Sequence, residues 1–190
     1  MFIAGFRKNL RALIESSMLI AIGFILSYFT LFKMPQGGSV TPLSMLPILM
    51  IGLRHGLKFG LSGGFVYACL QMLQEFWPPP SGTAAAYIAV VLLDYVIAFT
   101  VLGLSGLFRG RQYGIVYAAP MCVLLRFLCH FVSGIVVWSA YAGETAAWVY
   151  SLSYNGSYMG IELTFTTIIG LGLCRTAPVL FRTPDKHGAD

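Results

Sequence analysis

Five ionisable side chains sit inside long apolar runs of this sequence: Glu15, Asp94, Arg126, His130 and Glu162. A charge in such surroundings is costly, so it pairs with another charge or serves a ligand or an ion path. Arg126, His130, Gly134 and Trp138 recur every four residues. On a helix that spacing puts all of them on one face, as a stripe that is first basic, then polar, then aromatic. Asp94 and Tyr95 lie in a neighbouring apolar run, and Tyr150, Tyr154, Asn155 and Tyr158 open the next one. A carboxylate in such a set would bind an amine or balance positive charge. Trp138 would stack on a flat or cationic ring, a contact of about 0.5–2 kcal/mol. Asn155 would supply a donor and an acceptor in fixed directions. This is the chemistry of recognising a small, partly aromatic ligand that is cationic or carries an amide. The same residues also admit a second reading, a glue of interhelical hydrogen bonds in which Asp94 neutralises Arg126. The set exceeds what one ion pair requires, which favours a pocket, with Gly134 opening space in it.

The other two charges have local readings. Glu15 lies one turn beyond Arg11 near an apolar run's end, which predicts an Arg11–Glu15 ion pair. Glu162 follows Asn155 by seven residues, two turns deeper on a similar face. It reaches the depth of Arg126, so we expect a Glu162–Arg126 pair below the pocket floor.

Little in the sequence points to catalysis. There is no GxxxxGK[ST] phosphate loop, no HExxH zinc motif and no GxSxG elbow to make a nucleophile of Ser133. An intramembrane enzyme using Asp94 and His130 as acid and base would lack both nucleophile and metal. Cys69, Cys122, Cys129 and Cys174 all lie in apolar runs without CxxC spacing, the pattern of buried hydrophobes rather than of disulfides or a zinc site. No cofactor and no metal are expected.

These residues must be positioned by a membrane fold. Of 190 residues, 57% are hydrophobic and 10% charged, and the mean hydropathy is +0.78. A soluble domain carries about 25% charged residues. The apolar runs divide into six segments, roughly 12–32, 43–53, 57–75, 84–108, 114–140 and 148–174. A spanning helix needs about 17–25 apolar residues, so 43–53, with Pro47 inside it, is too short to cross unaided. It is expected to be tilted, broken or partly re-entrant. We read an all-α integral membrane protein, a single six-helix transmembrane domain over 1–182 followed by a polar tail at 183–190. The first run is as long as a full span and lacks a cleavage site, so no signal peptide is expected.

Lys and Arg alternate by loop. Arg7, Lys8 and Arg11, then Arg54 and Lys58, then Arg109 and Arg111, then Arg175, Arg182 and Lys186 mark one side. By the positive-inside rule that side is cytoplasmic and holds both termini. The net charge of +5 is therefore a topology signal and not a nucleic-acid footprint. The opposite loops carry the helix-breaking run Met34-Pro35-Gln36-Gly37-Gly38-Ser39, the stiff Trp77-Pro78-Pro79-Pro80, and an aromatic stretch from Trp138 to Tyr150. Taken singly, these aromatics fit an interfacial belt. Ser17 and Ala21, four apart with Gly23 nearby, form a small-residue ridge on which another helix could pack.

At these residues the chain resembles the thiamine-specific S components of energy-coupling factor (ECF) vitamin transporters, from about residue 11 to 182. The markers are the Met34–Ser39 loop, Leu92-Leu93-Asp94-Tyr95 with Ala98-Phe99, and Arg126-Phe127 with His130, Ser133-Gly134 and Trp138. Trp148, Tyr150-Ser151, Tyr154-Asn155 and Tyr158-Met159 complete them. The resemblance implies a six-helix substrate-binding subunit in the cell membrane, with an outward pocket closed by the loop between its first two helices. It implies thiamine as ligand, and a transmembrane coupling protein and two ATPase subunits as partners that hydrolyse ATP. Asp94 matches the acidic position that contacts the aminopyrimidine. Tyr95, His130, Trp138, Tyr150 and Asn155 match pocket positions, with Trp138 stacking on the ligand. Arg126 matches a basic position near the ligand's hydroxyl end. Some relatives carry a pocket Trp where this chain has Gly38. The family's coupling face on the first helix is an Ala-xxx-Ala ridge; here Ile25 replaces the second Ala, leaving Ser17 and Ala21 as the small pair. Glu162 matches no family role. Because the scaffold is shared, an S component for another flat, nitrogen-rich vitamin is the alternative.

Overall fold

The chain is described by a computed structural model over residues 2–184, with side chains from Asn9 onward. The polar tail thus lies mostly outside the described residues. Helix α1 (Phe2–Ser27) stops earlier than its apolar run, at Ser27, whose hydroxyl lies 2.7 Å from the Phe24 carbonyl and 2.8 Å from the Gln74 side-chain oxygen. The chain then forms a small hairpin, β1 (Phe32–Lys33) paired antiparallel with β2 (Ser39–Val40), with Phe32 opposite Val40. Helix α2 (Leu46–His55) and α3 (Leu57–Gln74) follow, divided at Gly56. Then come α4 (Ala84–Phe108), α5 (Ile115–Val136) and α6 (Ala147–Thr176).

The six expected segments are thus six helices, and α1, α4, α5 and α6 are long and apolar enough to cross a membrane. The short second segment is a continuous helix after all. Pro47 falls in its first turn, where a missing N–H costs nothing. Every residue from Leu46 to Leu53 is buried. Being wrapped by its neighbours on all sides, α2 needs neither the length nor the lipid contact of a spanning helix. The fifth segment ends at Val136, short of the expected 140, and turns at Ser139–Tyr141.

Helix α4 is not uniform. It starts on a Thr83 cap that accepts from the Ala86 amide at 3.3 Å. It then opens into a π-helical turn over Val91–Val96 and tightens to 3-10 geometry over Val101–Phe108. The tight end lets Gly103 lie against the backbone of Gly60 in α3, an approach that small residues make possible. A π turn inside an α-helix is rare and is found mostly at functional sites. This one carries Asp94 and Tyr95.

At the basic end, Glu15 pairs with Arg11 at 2.7 Å as expected, and it also reaches Arg54 at 2.7 Å and His55 at 3.1 Å. Arg54 in turn donates to the carbonyls of Val179 and Leu180 at 2.7 and 2.9 Å. One carboxylate, through Arg54, thus ties α1 and α2 to the turn at Pro178–Leu180. Ser17 and Ala21 lie on an exposed face of α1 beside Ile14, Met18 and Ile25. Gly23 does not belong to that ridge: it faces inward, and a side chain there would strike the Ser44 carbonyl of the segment entering α2.

Candidate functional site

A cavity of about 400 Å³ opens at the end of the bundle opposite the basic loops. Asp94, Tyr95, Arg126, His130, Gly134, Trp138, Tyr150 and Asn155 all line it. The π turn of α4, the one-faced stripe of α5 and the first turns of α6 bring these residues together from positions up to 61 apart in sequence. The size suits one small organic ligand, since pockets for such ligands run from about 300 to 1,000 Å³.

Asp94 is the hub. His130 Nδ1 lies 2.9 Å from one carboxylate oxygen, and Ser133 Oγ and Trp138 Nε1 donate to the other at 2.6 and 3.0 Å. The Asp94 and His130 side chains are 15% and 11% exposed, so the group is nearly sealed. A carboxylate offers about four acceptor positions, so one is left to face a ligand. Asp94 makes no ion pair with Arg126, contrary to the glue reading. The guanidinium lies 4.3 Å over the Phe99 ring and donates to Met45 Sδ at 2.9 Å. Arg126 Nε and His130 Nε2 are buried without a hydrogen-bond partner among the described residues. In a folded interior such donors and acceptors are normally satisfied.

Three expectations need correction, for Gly134, Asn155 and Glu162, while Tyr95 keeps its place in the lining and has a second duty. Gly134 does not chiefly open space for a ligand: a side chain there would run into Ser151, whose hydroxyl donates to the Phe131 carbonyl at 2.8 Å. Its role is to let α5 and α6 touch. The amide nitrogen of Asn155 is occupied by the protein, lying 3.1 Å from the Ser151 carbonyl and 3.3 Å from that of His130. Its oxygen accepts from Tyr158 at 3.2 Å and has one lone pair to spare. Tyr95 grips the loop after α3, donating to the Glu75 carbonyl at 2.7 Å and accepting from the Trp77 amide at 3.2 Å. Glu162 is not ion-paired with Arg126. It accepts from the backbone amide and the hydroxyl of Thr41.

The hairpin between α1 and α2 covers the mouth. Tyr154 Oη donates to the Gly37 carbonyl at 2.6 Å and accepts from the Gln36 amide at 2.9 Å. Gly37 and Gly38 have φ of +81° and +80°, a region where a side chain is strained. A side chain at Gly37 would press on the Trp77 ring, and one at Gly38 on the ring of Tyr158. Trp77 and Tyr158 therefore close the wall from beside these glycines. Sequence reasoning missed Gln71, Gln74 and Phe99 as lining residues. The two glutamines are four or fewer residues from the end of α3, where a polar run at a helix mouth was the available signal.

The model of the thiamine transporter protein family matches residues 13–182. A protein named thiamine transporter ThiT from Bacillus subtilis (strain 168) is 33% identical, across 93% of this chain and 96% of its own length. One of the same name from Lacticaseibacillus paracasei is 29% identical, across 94% of each. The solved structure of ThiT from Listeria monocytogenes superposes with a TM-score of 0.75 at 24% identity, covering 92% of this chain and 99% of that one. That likeness speaks for the fold.

Proposed function

The chain belongs to the thiamine transporter protein family, and we propose that it is the membrane subunit that binds thiamine for uptake. The carrying observation is the nearly sealed Asp94 hub beside two buried nitrogens without partners, His130 Nε2 and Arg126 Nε. Thiamine joins an aminopyrimidine to a cationic thiazolium with a hydroxyethyl arm. Asp94 receives the amino group on its remaining lone pair. The indole of Trp138, fixed to Asp94 by its N–H and stacked on Tyr141 with centroids 6.2 Å apart, offers its other face to a flat ring. Arg126 meets the hydroxyl arm, and Tyr95, His130, Gly134, Tyr150 and Asn155 complete the wall. The closed hairpin removes water from these contacts, which strengthens each of them.

The subunit does not power transport by itself. It works with a transmembrane coupling protein and two ATPases, and Ser17 and Ala21 on the exposed face of α1 form the surface that meets the coupling protein. Both termini face the cytoplasm, and the pocket faces out. It is a binding protein and not an enzyme.

Titrating the purified protein with thiamine while following Trp fluorescence tests this reading, since Trp77 and Trp138 both line the cavity. Saturable quenching at micromolar thiamine or below is expected. No change at those concentrations overturns the assignment of ligand.

A further inference from the structure

Glu162 is 2% exposed, lies outside the cavity lining and has no ion-pair partner among the described residues. A carboxylate is costly to bury and must be held by donors. Here both donors come from Thr41, the residue that follows β2. The Thr41 hydroxyl also lies 2.8 Å from that of Ser44, and Leu43 between them has φ of +70°, an uncommon conformation that persists only when its surroundings enforce it.

Tyr154, Tyr158 and Glu162 are spaced by four residues, so they form a single stripe down α6. Each meets the hairpin at a successive point. Tyr154 holds Gln36 and Gly37 at the tip, Tyr158 lies against Gly38, and Glu162 holds Thr41 at the root. The lengths are compatible: eight helical residues rise about 12 Å, and four residues of chain span at most about 13 Å, a reach shortened by the turn at Gly37 and Gly38. The returning arm of the hairpin is therefore laid along α6 as a strap with three fastenings. The upper two involve cavity-lining tyrosines at the mouth, and the lowest is a buried carboxylate.

We propose that Glu162 is the positioning residue of the strap, a fixed root about which the hairpin swings while the tyrosine fastenings at its tip release and re-form. It sets the closed position of the hairpin without touching the ligand. This rests on the thiamine-binding reading only for the ligand used below.

The test compares Glu162→Leu, which removes the oxygen that accepts both Thr41 bonds, with Glu162→Gln, which keeps a carbonyl oxygen for Thr41. Two quantities are read: the thiamine off-rate, and the rate at which a Ser39→Cys thiol is alkylated in the ligand-free protein, corrected for the four native cysteines. Glu162→Leu is expected to raise the off-rate at least tenfold and the alkylation rate several-fold. Glu162→Gln should stay within threefold of the parent on both. If Glu162→Leu does not fold, Thr41→Val removes one of the two donors and should shift both rates in the same direction by a smaller factor. Parent-like rates in Glu162→Leu, or in Thr41→Val should that be the one that folds, overturn the strap. So does Glu162→Gln as damaged as Glu162→Leu, which would assign the role to charge. If the parent binds no thiamine, the ligand assignment fails, while the alkylation arm still decides the strap.

Discussion

Asp94 serves two masters, and its geometry says how to separate them. Three protein donors converge on it, from Ser133, His130 and Trp138, so any substitution alters the wall as well as the ligand contact. Asp94→Asn removes the charge and sets an N–H₂ against those donors. We expect it to weaken thiamine at least about tenfold, the order of one charge-assisted hydrogen bond in a dry site. Ser133→Ala takes one support and leaves the carboxylate, and should weaken binding by only a few-fold, about 1 kcal/mol. Fluorescence titration of both variants reads the order directly, and equal losses would move Asp94 from ligand contact to wall. At this scale the sequence was informative because a four-residue period survives folding: Arg126, His130 and Gly134 share a face of α5 whatever packs against it, while Trp138, two residues past the helix end, reaches the cavity from the turn that follows. What it could not say was which partner each side chain takes. Ser151 fills the space at Gly134, and Thr41 meets Glu162 across 121 residues of chain. Neither pairing leaves a local pattern.

The elements have two distinct duties, one rigid and one mobile. Helices α5 and α6 form the rigid wall, brought close by Gly134, whose replacement would drive into Ser151 and Asn155. Gly134→Val should therefore separate the helices, lowering thermal stability by an amount typical of overpacking, about 1–3 kcal/mol, and weakening thiamine together with it. Melting and titration of the same sample check both. In the strap proposed above, the hairpin is the element that moves. Its tip is fastened by Tyr154, which both donates and accepts, with Tyr150 donating to the Gln36 side-chain oxygen at 3.4 Å. Tyr154→Phe leaves the ring and removes both bonds, so thiamine should associate and dissociate faster, by several-fold each, with a smaller change in affinity. Stopped-flow fluorescence separates this from loss of a ligand contact, which would raise the off-rate alone. Helix positions followed from apolar length, and α2 was located although it is short. Its central place was not legible, because a helix wrapped by others and one lying at an interface have the same composition. The π turn at Val91–Val96 was equally silent: nothing in Val-Leu-Leu-Asp-Tyr-Val distinguishes it from an ordinary turn.

At the scale of the whole molecule the charges carry the orientation we propose, and the fold carries the division of labour. Glu15, Arg11, Arg54 and the carbonyls of Val179 and Leu180 knit one end of the bundle, while the cavity opens at the other. In the orientation proposed above, with the basic loops inside, that cavity faces the exterior, and its lining comes chiefly from the hairpin, the end of α3, α4, α5 and α6, with no residue of α2 in it. A protein that rocks about a central site has two related halves; here the hairpin, α4, α5 and α6 contribute to the site unequally, and no half repeats the other. On the proposed function, binding and translocation are then separable. Reconstituted alone in vesicles with its cavity outward, the protein should bind external thiamine up to one per chain and accumulate none in the lumen, with or without ATP inside. Adding the coupling protein and both ATPases should start accumulation only when ATP is on the basic side. Thiamine-loaded lumens in vesicles of the subunit alone would overturn this division of labour. A cysteine at Glu144 reactive to an impermeant maleimide before lysis, with one at Lys58 reactive only after it, fixes which population of vesicles is being read.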